Sequence, residues 1–231
     1  MRYKNLFFDF DDTLWDTQSN NKECLEEVYT DYHFDRYYAS FEAFYNYYMP
    51  HNLNLWAQYR NHRIDRQTLI VERFRHVLLP AGITDAESAL KLNSDFLKRT
   101  TRKTVLIPGT LQLLEYLRPS YKMHILSNGF REVQLKKLEH SGLSPFFRGL
   151  ILSEDAGIQK PHKAIFNFAL KNTNSRRSET LMIGDCWESD IAGARCSGIA
   201  QLWFNPRNLP PAEGFMPTYT VRSLTDIMDI L

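Results

Sequence analysis

Five short apolar runs punctuate the chain, at Leu6–Asp9, Met123–Leu126, Leu150–Leu152, Leu181–Ile183 and Gln201–Phe204. Each is continuous rather than alternating, rich in β-branched or aromatic residues, and too short for a helix. That pattern predicts strands buried on both faces of a parallel sheet. From Gly109 onward, helix-like stretches fall between them: Thr110–Leu117, Phe130–His140 closed by Gly142, His162–Lys171, and Ser189–Cys196 closed by Gly198. Ile165, Phe168 and Ala169 share one helical face, and Glu132 with Lys136 forms an i, i+4 pair on an exposed one. Alternation of this kind builds βαβ units and a doubly wound, mainly parallel α/β sheet.

Between Asp16 and Lys103 the texture changes. Strand signals vanish, and helical spacing appears around Leu25, Val28 and Tyr32, then around Leu69, Ile70, Phe74 and Val77. Pro50 and Pro80-Ala81-Gly82 read as internal breaks, and Pro108-Gly109 as the return to the sheet. The expected organisation is therefore a core from residues 1–15 and 104–231, interrupted by an all-helical domain at 16–103. Twelve aromatic rings lie between Tyr29 and Tyr59. Most should form the core of this small domain, since large rings dominate small cores. Trp56 and Tyr59, after the Pro50 break, are the candidates for stacking on a flat substrate.

Composition narrows the function. The 231 residues are 43% hydrophobic, and 28 basic against 27 acidic side chains leave a formal net charge of +1. Such a balance fits a globular enzyme better than a nucleic-acid or membrane-surface binder. Cys24, Cys186 and Cys196 form no Cys-x-x-Cys pair, so neither a disulfide framework nor a zinc site is indicated. With no leader pattern and no run of membrane-spanning length, the expectation is a cytoplasmic protein, monomer or homodimer.

The chemistry-bearing residues follow the strand ends. Asp9 and Asp11, spaced i, i+2, leave the first strand and can address one reacting group. Ser127-Asn128-Gly129 follows the second strand and precedes a helix, a corner suited to an anion. Lys160 stands before Pro161, and Asp185 and Asp190 follow the strand ending at Ile183-Gly184. Open parallel sheets bind ligands outside the carboxyl ends of their strands, so these groups converge by topology. Together they offer a nucleophile, a phosphate cradle, a countercharge and an all-oxygen site suited to Mg2+.

Asp9-Phe10-Asp11-Asp12-Thr13, Ser127-Asn128, Lys160-Pro161 and Gly184-Asp185 through Asp190 resemble, in order, the four motifs of the haloacid dehalogenase superfamily. The resemblance implies a Rossmann-like core with a helical cap and a two-step phosphoryl transfer. Asp9 would be the nucleophile, Asp11 the acid/base, and Lys160 a catalytic countercharge. Mg2+ would be held by Asp9, the Asp11 carbonyl and Asp185, with Asp190 behind them. Ser127, Asn128 and Gly129 would cradle the phosphate. The acid at Asp11 favours phosphatases over dehalogenases, which lack it. Leu55-Trp56, Tyr59, Ser153-Glu154, Gly157 and Trp203-Phe204-Asn205 are further similar to the house-cleaning pyrimidine nucleotidases, implying a nucleoside 5'-monophosphate as substrate. Alternatives left open are a phosphatase of phosphoglycolate or a sugar phosphate, a phosphoglucomutase-like enzyme, a dehalogenase, and a non-catalytic sensor of a phosphorylated metabolite.

Overall fold

A computed structural model describes residues 2–212 and 214–231. Backbone contacts divide the chain into two compact units: Met1–Thr17 with Thr104–Leu231, and Gln18–Lys103.

The first unit is built on a six-stranded, all-parallel sheet of order β3-β2-β1-β4-β5-β6. Its strands are β1 (Asn5–Phe8), β2 (Lys122–Ser127), β3 (Gly149–Leu152), β4 (Thr180–Gly184), β5 (Ala200–Phe204) and β6 (Tyr219–Val221). β1 lies in the middle, with Phe8 opposite Ile125 on one side and Ile183 on the other. Alternate residues of β1 feed two cores. Leu6 and Phe8 join Ile125, Ile183 and Leu202 beneath Leu113 and Leu117, whereas Phe7 joins Leu126 and Met182 against Ile165, Phe166 and Ala169. Phe7 and Phe8 are completely buried, and each contributes on the order of 2–3 kcal/mol of apolar burial.

The helices of this unit are α5 (Thr110–Leu117), α6 (Arg131–His140), α7 (Ser153–Ala156), α8 (Lys163–Asn172) and α9 (Gly193–Cys196). Two features depart from the sequence expectation. The stretch expected as one helix over Ser189–Cys196 starts at Trp187 as a π-turn through Ala192, and only then becomes α9. The wide turn carries Asp190 inward, where it is fully buried, a common use of π-turns near functional sites. A sixth strand at Tyr219–Val221 also completes the sheet.

The second unit contains most of α1 (Thr17–Asp31), followed by α2 (Phe41–Arg60), α3 (Arg66–Leu78) and α4 (Ala86–Thr100). Ser40, Asp65 and Asp85 cap α2, α3 and α4 by accepting from the backbone N–H three residues on. Pro50 does not break the chain; it lies inside α2. An interior proline costs about 3 kcal/mol, and the buried Phe44, Tyr48 and Leu55 on either side of it overcome that preference. The core of this unit is aromatic: Phe34, Tyr38, Phe44, Tyr48, Phe74 and Phe96 pack with Leu25, Val28 and Leu92.

Where the sheet unit is interrupted, its two flanking segments are bound together. Trp15 bridges Leu106 in antiparallel fashion, Asp16 N–H donates to Val105 O, and Ile107 N–H donates to Leu14 O.

Candidate active site

The strand order places β1 beside β4 with connections leaving to opposite sides, which opens a crevice at their carboxyl ends. Asp9 follows β1 and Asp185 follows β4, and Asp9 N–H donates to Ile183 O at 2.9 Å. Carboxylate oxygens of Asp9, Asp185 and Asp190 lie within 4.8 Å of one another. Gly184 makes that approach possible, since a Cβ there would stand 2.6 Å from Cγ of Asp190.

Into this acidic group reaches Lys160, whose side chain is 2% exposed. Its Nζ donates at 2.7 Å to Asp9 Oδ1, to Asp190 Oδ1 and to the carbonyl of Leu126, so all three ammonium protons have acceptors. Asn128 fixes its backbone: the amide nitrogen donates to Lys160 O at 3.0 Å and the amide oxygen accepts from Lys160 N–H at 2.8 Å. Thr13 performs the same service for Asp185, donating to Oδ1 at 3.0 Å and accepting from its N–H at 3.1 Å. Trp203 Nε1 donates to the Asp185 carbonyl.

Three acids against one ammonium leave an uncompensated negative site. Burial pushes the Asp9 carboxyl up to about 7, opposed by Lys160 and reinforced by Asp190 and Asp11. Burial, and then the charges of Asp9, Asp190 and Asp12, hold Asp185 well above the usual carboxylate range. Burial alone would lower the Lys160 ammonium, but Asp190 and Asp9 beside it raise it above the ordinary lysine value.

Asp11 faces a different set. Its carboxylate accepts from Lys137 Nζ at 2.6 Å, Gln134 Nε2 at 2.6 Å and Thr17 Oγ1 at 3.1 Å. Burial would raise this carboxyl, but Lys137 and the three hydrogen bonds hold it below the usual carboxylate range. Ser127 Oγ accepts from Gly129 N–H and from Gln134 Nε2, which leaves its own O–H as a donor.

Asp9, Lys160, Asp185 and Asp190 thus form one cluster. Gln134 joins Ser127 to Asp11, and Asn128 is engaged with the Lys160 backbone. Trp56 and Tyr59 belong to the helical unit, half-buried on α2, with ring centroids 5.9 Å apart at 76°; neither joins that unit's aromatic core. Sequence reading missed Lys137 and Gln134, and gave Thr13 no role beyond its place in the first motif. The available signal was polar residues on the inward face of α6, where Val133, Gln134, Lys137 and Leu138 are buried.

An acid triad at the switch point of a parallel sheet, two of its members joined by one lysine, is an arrangement suited to hydrolytic chemistry. Residues 3–198 match the model of the haloacid dehalogenase-like hydrolases, and the chain belongs to that family. It is 34% identical to pyrimidine 5'-nucleotidase YjjG of Escherichia coli, over 100% of this chain and 99% of that protein. Identity to pyrimidine 5'-nucleotidase PynA of Streptococcus pneumoniae is 30%, over 100% and 96%. Among solved structures, YfnB of Bacillus subtilis superposes with a TM-score of 0.87 at 29% identity, covering 100% of this chain and 99% of the other. That structure is described as bound to magnesium and as revealing interdomain movement. Among the described residues no helix is long and apolar enough to cross a membrane.

Proposed function

We propose that this chain is a Mg2+-dependent phosphomonoesterase that hydrolyses pyrimidine nucleoside 5'-monophosphates through an aspartyl-phosphate on Asp9. The observation that carries the reading is the Lys160 ammonium 2.7 Å from both Asp9 and Asp190, with Asp11 two residues beyond the nucleophile. The full-length likeness to two pyrimidine 5'-nucleotidases supports the substrate class.

The residues fit a hard divalent cation. Donors are all oxygen, and the carboxylates outnumber the one ammonium among them. Asp9, Asp185 and the Asp11 main-chain carbonyl would hold Mg2+, with Asp190 behind them. When bound, the ion supplies a Lewis acid that polarises the phosphoryl group and offsets its repulsion from the acids.

The chain's own residues perform the bond changes. An Asp9 carboxylate oxygen attacks phosphorus in line, the ester P–O bond breaks, and the departing alkoxide takes a proton from Asp11, which has taken it up from solvent as the bound phosphate draws Lys137 away. Asp11 then removes a proton from water, whose oxygen attacks the same phosphorus; the bond to Asp9 breaks, and phosphate leaves with Asp9 restored. Lys160, the Ser127 hydroxyl, the Asn128 side chain and the Gly129 backbone stabilise the charge on the non-reacting phosphoryl oxygens. Trp56 and Tyr59 supply flat surface to the base.

The test is phosphate release from dUMP, UMP, dTMP, phosphoglycolate and sugar phosphates, with and without Mg2+, by wild type and Asp9→Asn. Expected is Mg2+-dependent release that favours nucleotides and disappears in the variant. Wild-type turnover in Asp9→Asn would overturn the mechanism, and a preference for sugar phosphates over every nucleotide would overturn the substrate.

A further inference from the structure

The amino ends of the strands, at the far end of the sheet from the acid cluster, hold a second polar recess. A cleft of about 400 Å3 opens there between the starts of β1 and β2 and the loop that joins α8 to β4. It lies wholly within the sheet unit. Asn5, which lines it, precedes Asp9 by four residues of extended chain, about 13 Å, so the cleft is no part of the site already described.

Three cations line this cleft and one acid answers them. Lys4 donates to Glu179 at 2.9 Å. Lys122 and Arg176 are exposed, and among the described residues neither forms an ion pair. With Glu179 engaged by Lys4, two positive charges face the cleft uncompensated.

Beneath them sits an amide without a partner. Asn5 is 5% exposed, yet among the described residues nothing hydrogen-bonds to its side chain. Alternation along β1 puts it on the face of Phe7, which packs against α8. Phe7 meets His124 edge-on there, and Lys122, two residues before His124, shares that side. Buried polar groups in native proteins are nearly all paired. The packing alone would favour an apolar residue at this position, so what completes the Asn5 amide enters through the cleft.

We propose that this cleft is a binding site for a phosphate dianion, free or as the end of a small ester, held between Lys122 and Arg176 with the Asn5 amide donating from below. The ammonium, the guanidinium and the amide reach the cleft from β2, from the α8–β4 loop and from β1. Donors arriving from three elements suit a tetrahedral group with oxygens on every side better than a planar carboxylate. No aromatic ring is among the described residues that line the cleft, so it offers a nucleobase no stacking surface.

The experiment titrates inorganic phosphate, glycerol 3-phosphate and succinate calorimetrically into wild type, Lys122→Ala, Arg176→Ala and Asn5→Leu, with excess chelator at fixed ionic strength. At about pH 8 phosphate is a dianion, and without Mg2+ the excess of acids over ammonium in the triad repels it. Expected is one phosphate per chain, weakened roughly tenfold by each of the three substitutions. Because Lys122 and Arg176 are exposed, their alanine variants should keep Tm within about 1 °C of wild type, and they decide the matter if Asn5→Leu fails to fold. Succinate should bind at least about tenfold more weakly. Tighter binding of glycerol 3-phosphate than of phosphate supports the site as one for an ester, and the reverse order supports it as one for the free ion. Absence of phosphate binding in chelator, binding undiminished in both cation variants, or succinate held as tightly as phosphate would each overturn the proposal. None of these outcomes touches the nucleotidase reading, which stands or falls on phosphate release from dUMP.

Discussion

Lys137 Nζ lies 2.6 Å from Asp11 Oδ1 and 3.8 Å from the centroid of the Trp15 ring, so the proposed acid/base is held as a carboxylate by an ammonium that is itself seated on an indole. In this arrangement Asp11 is ready to accept a proton. To act as an acid it must leave Lys137, and the entering phosphate is the natural competitor for that ammonium. Lys137→Met is expected to lower kcat by roughly 10–100-fold through loss of positioning. It also removes a stabilising pair worth about 1–3 kcal/mol, below the fully buried range because the Asp11 side chain is 30% exposed. The folded carboxyl lies below its unfolded value, so this stabilisation is present above pH ~4 and is lost as pH falls through the lowered value. The Tm gap between wild type and variant should therefore be wide at pH 7 and narrow toward pH 3; a constant gap would contradict the pairing.

A second pH effect lies on β2. His124 is 7% exposed, edge-on to Phe7, and both its ring nitrogens are buried without a partner. Burial first, then the charges of Arg148 and Lys122, push its pKa down to about 4. Between there and the ordinary value near 6.5 the unfolded chain binds the proton and the folded chain does not, so acidification across that window destabilises the fold by up to about 3 kcal/mol. His124→Phe should flatten the corresponding part of the Tm–pH curve. An unchanged slope would show that other groups are responsible.

Asn128 binds Lys160 through its backbone. Asn128→Ala is expected to lower kcat by roughly 10–100-fold and to reduce stability by about 1–3 kcal/mol. Asn128→Asp, which keeps the acceptor and loses the donor, should fall between. A variant with full activity would show that Lys160 is positioned without this clamp.

Metal linkage gives a direct readout of the acid triad. Saturating Mg2+ should stabilise the wild type, by about 2.7 kcal/mol at a hundred times Kd, and chelation should reverse it. Asp185→Asn should abolish that response while raising metal-free stability, because one of three crowded acids is gone. Calorimetric titration and Tm measured with and without Mg2+ check both halves; an undiminished Mg2+ shift in the variant would remove Asp185 from the ligand set.

Strands were legible because residues buried on both faces must be apolar throughout, as in Leu6-Phe7-Phe8 and Leu181-Met182-Ile183. Tyr219-Thr220-Val221 is too short and too polar to announce itself. The positions of Asp9 and Asp185 were legible for a topological reason, since each directly follows a strand end, whereas Lys160 lies beyond α7 in the loop that leads to α8. Gln134 and Lys137 were not, because their meaning depends on which face of α6 turns inward. Glu132 and Lys136 are indeed exposed, and the polar residues at the alternate positions face the site. Pro50 misled because local proline chemistry competes with the packing of a twenty-residue helix.

Leu14–Asp16 and Val105–Ile107 are stitched to each other by backbone bonds, so the long excursion between them leaves and re-enters the sheet unit at a single seam. Closing that seam with a short turn from Asp16 to Val105 would restore an uninterrupted α/β chain with β1 and its neighbours unmoved. The helical segment is in this sense an exchangeable part: a different insertion can be grafted at the seam while the backbone bonds that tie the two flanking segments of the sheet unit stay in place.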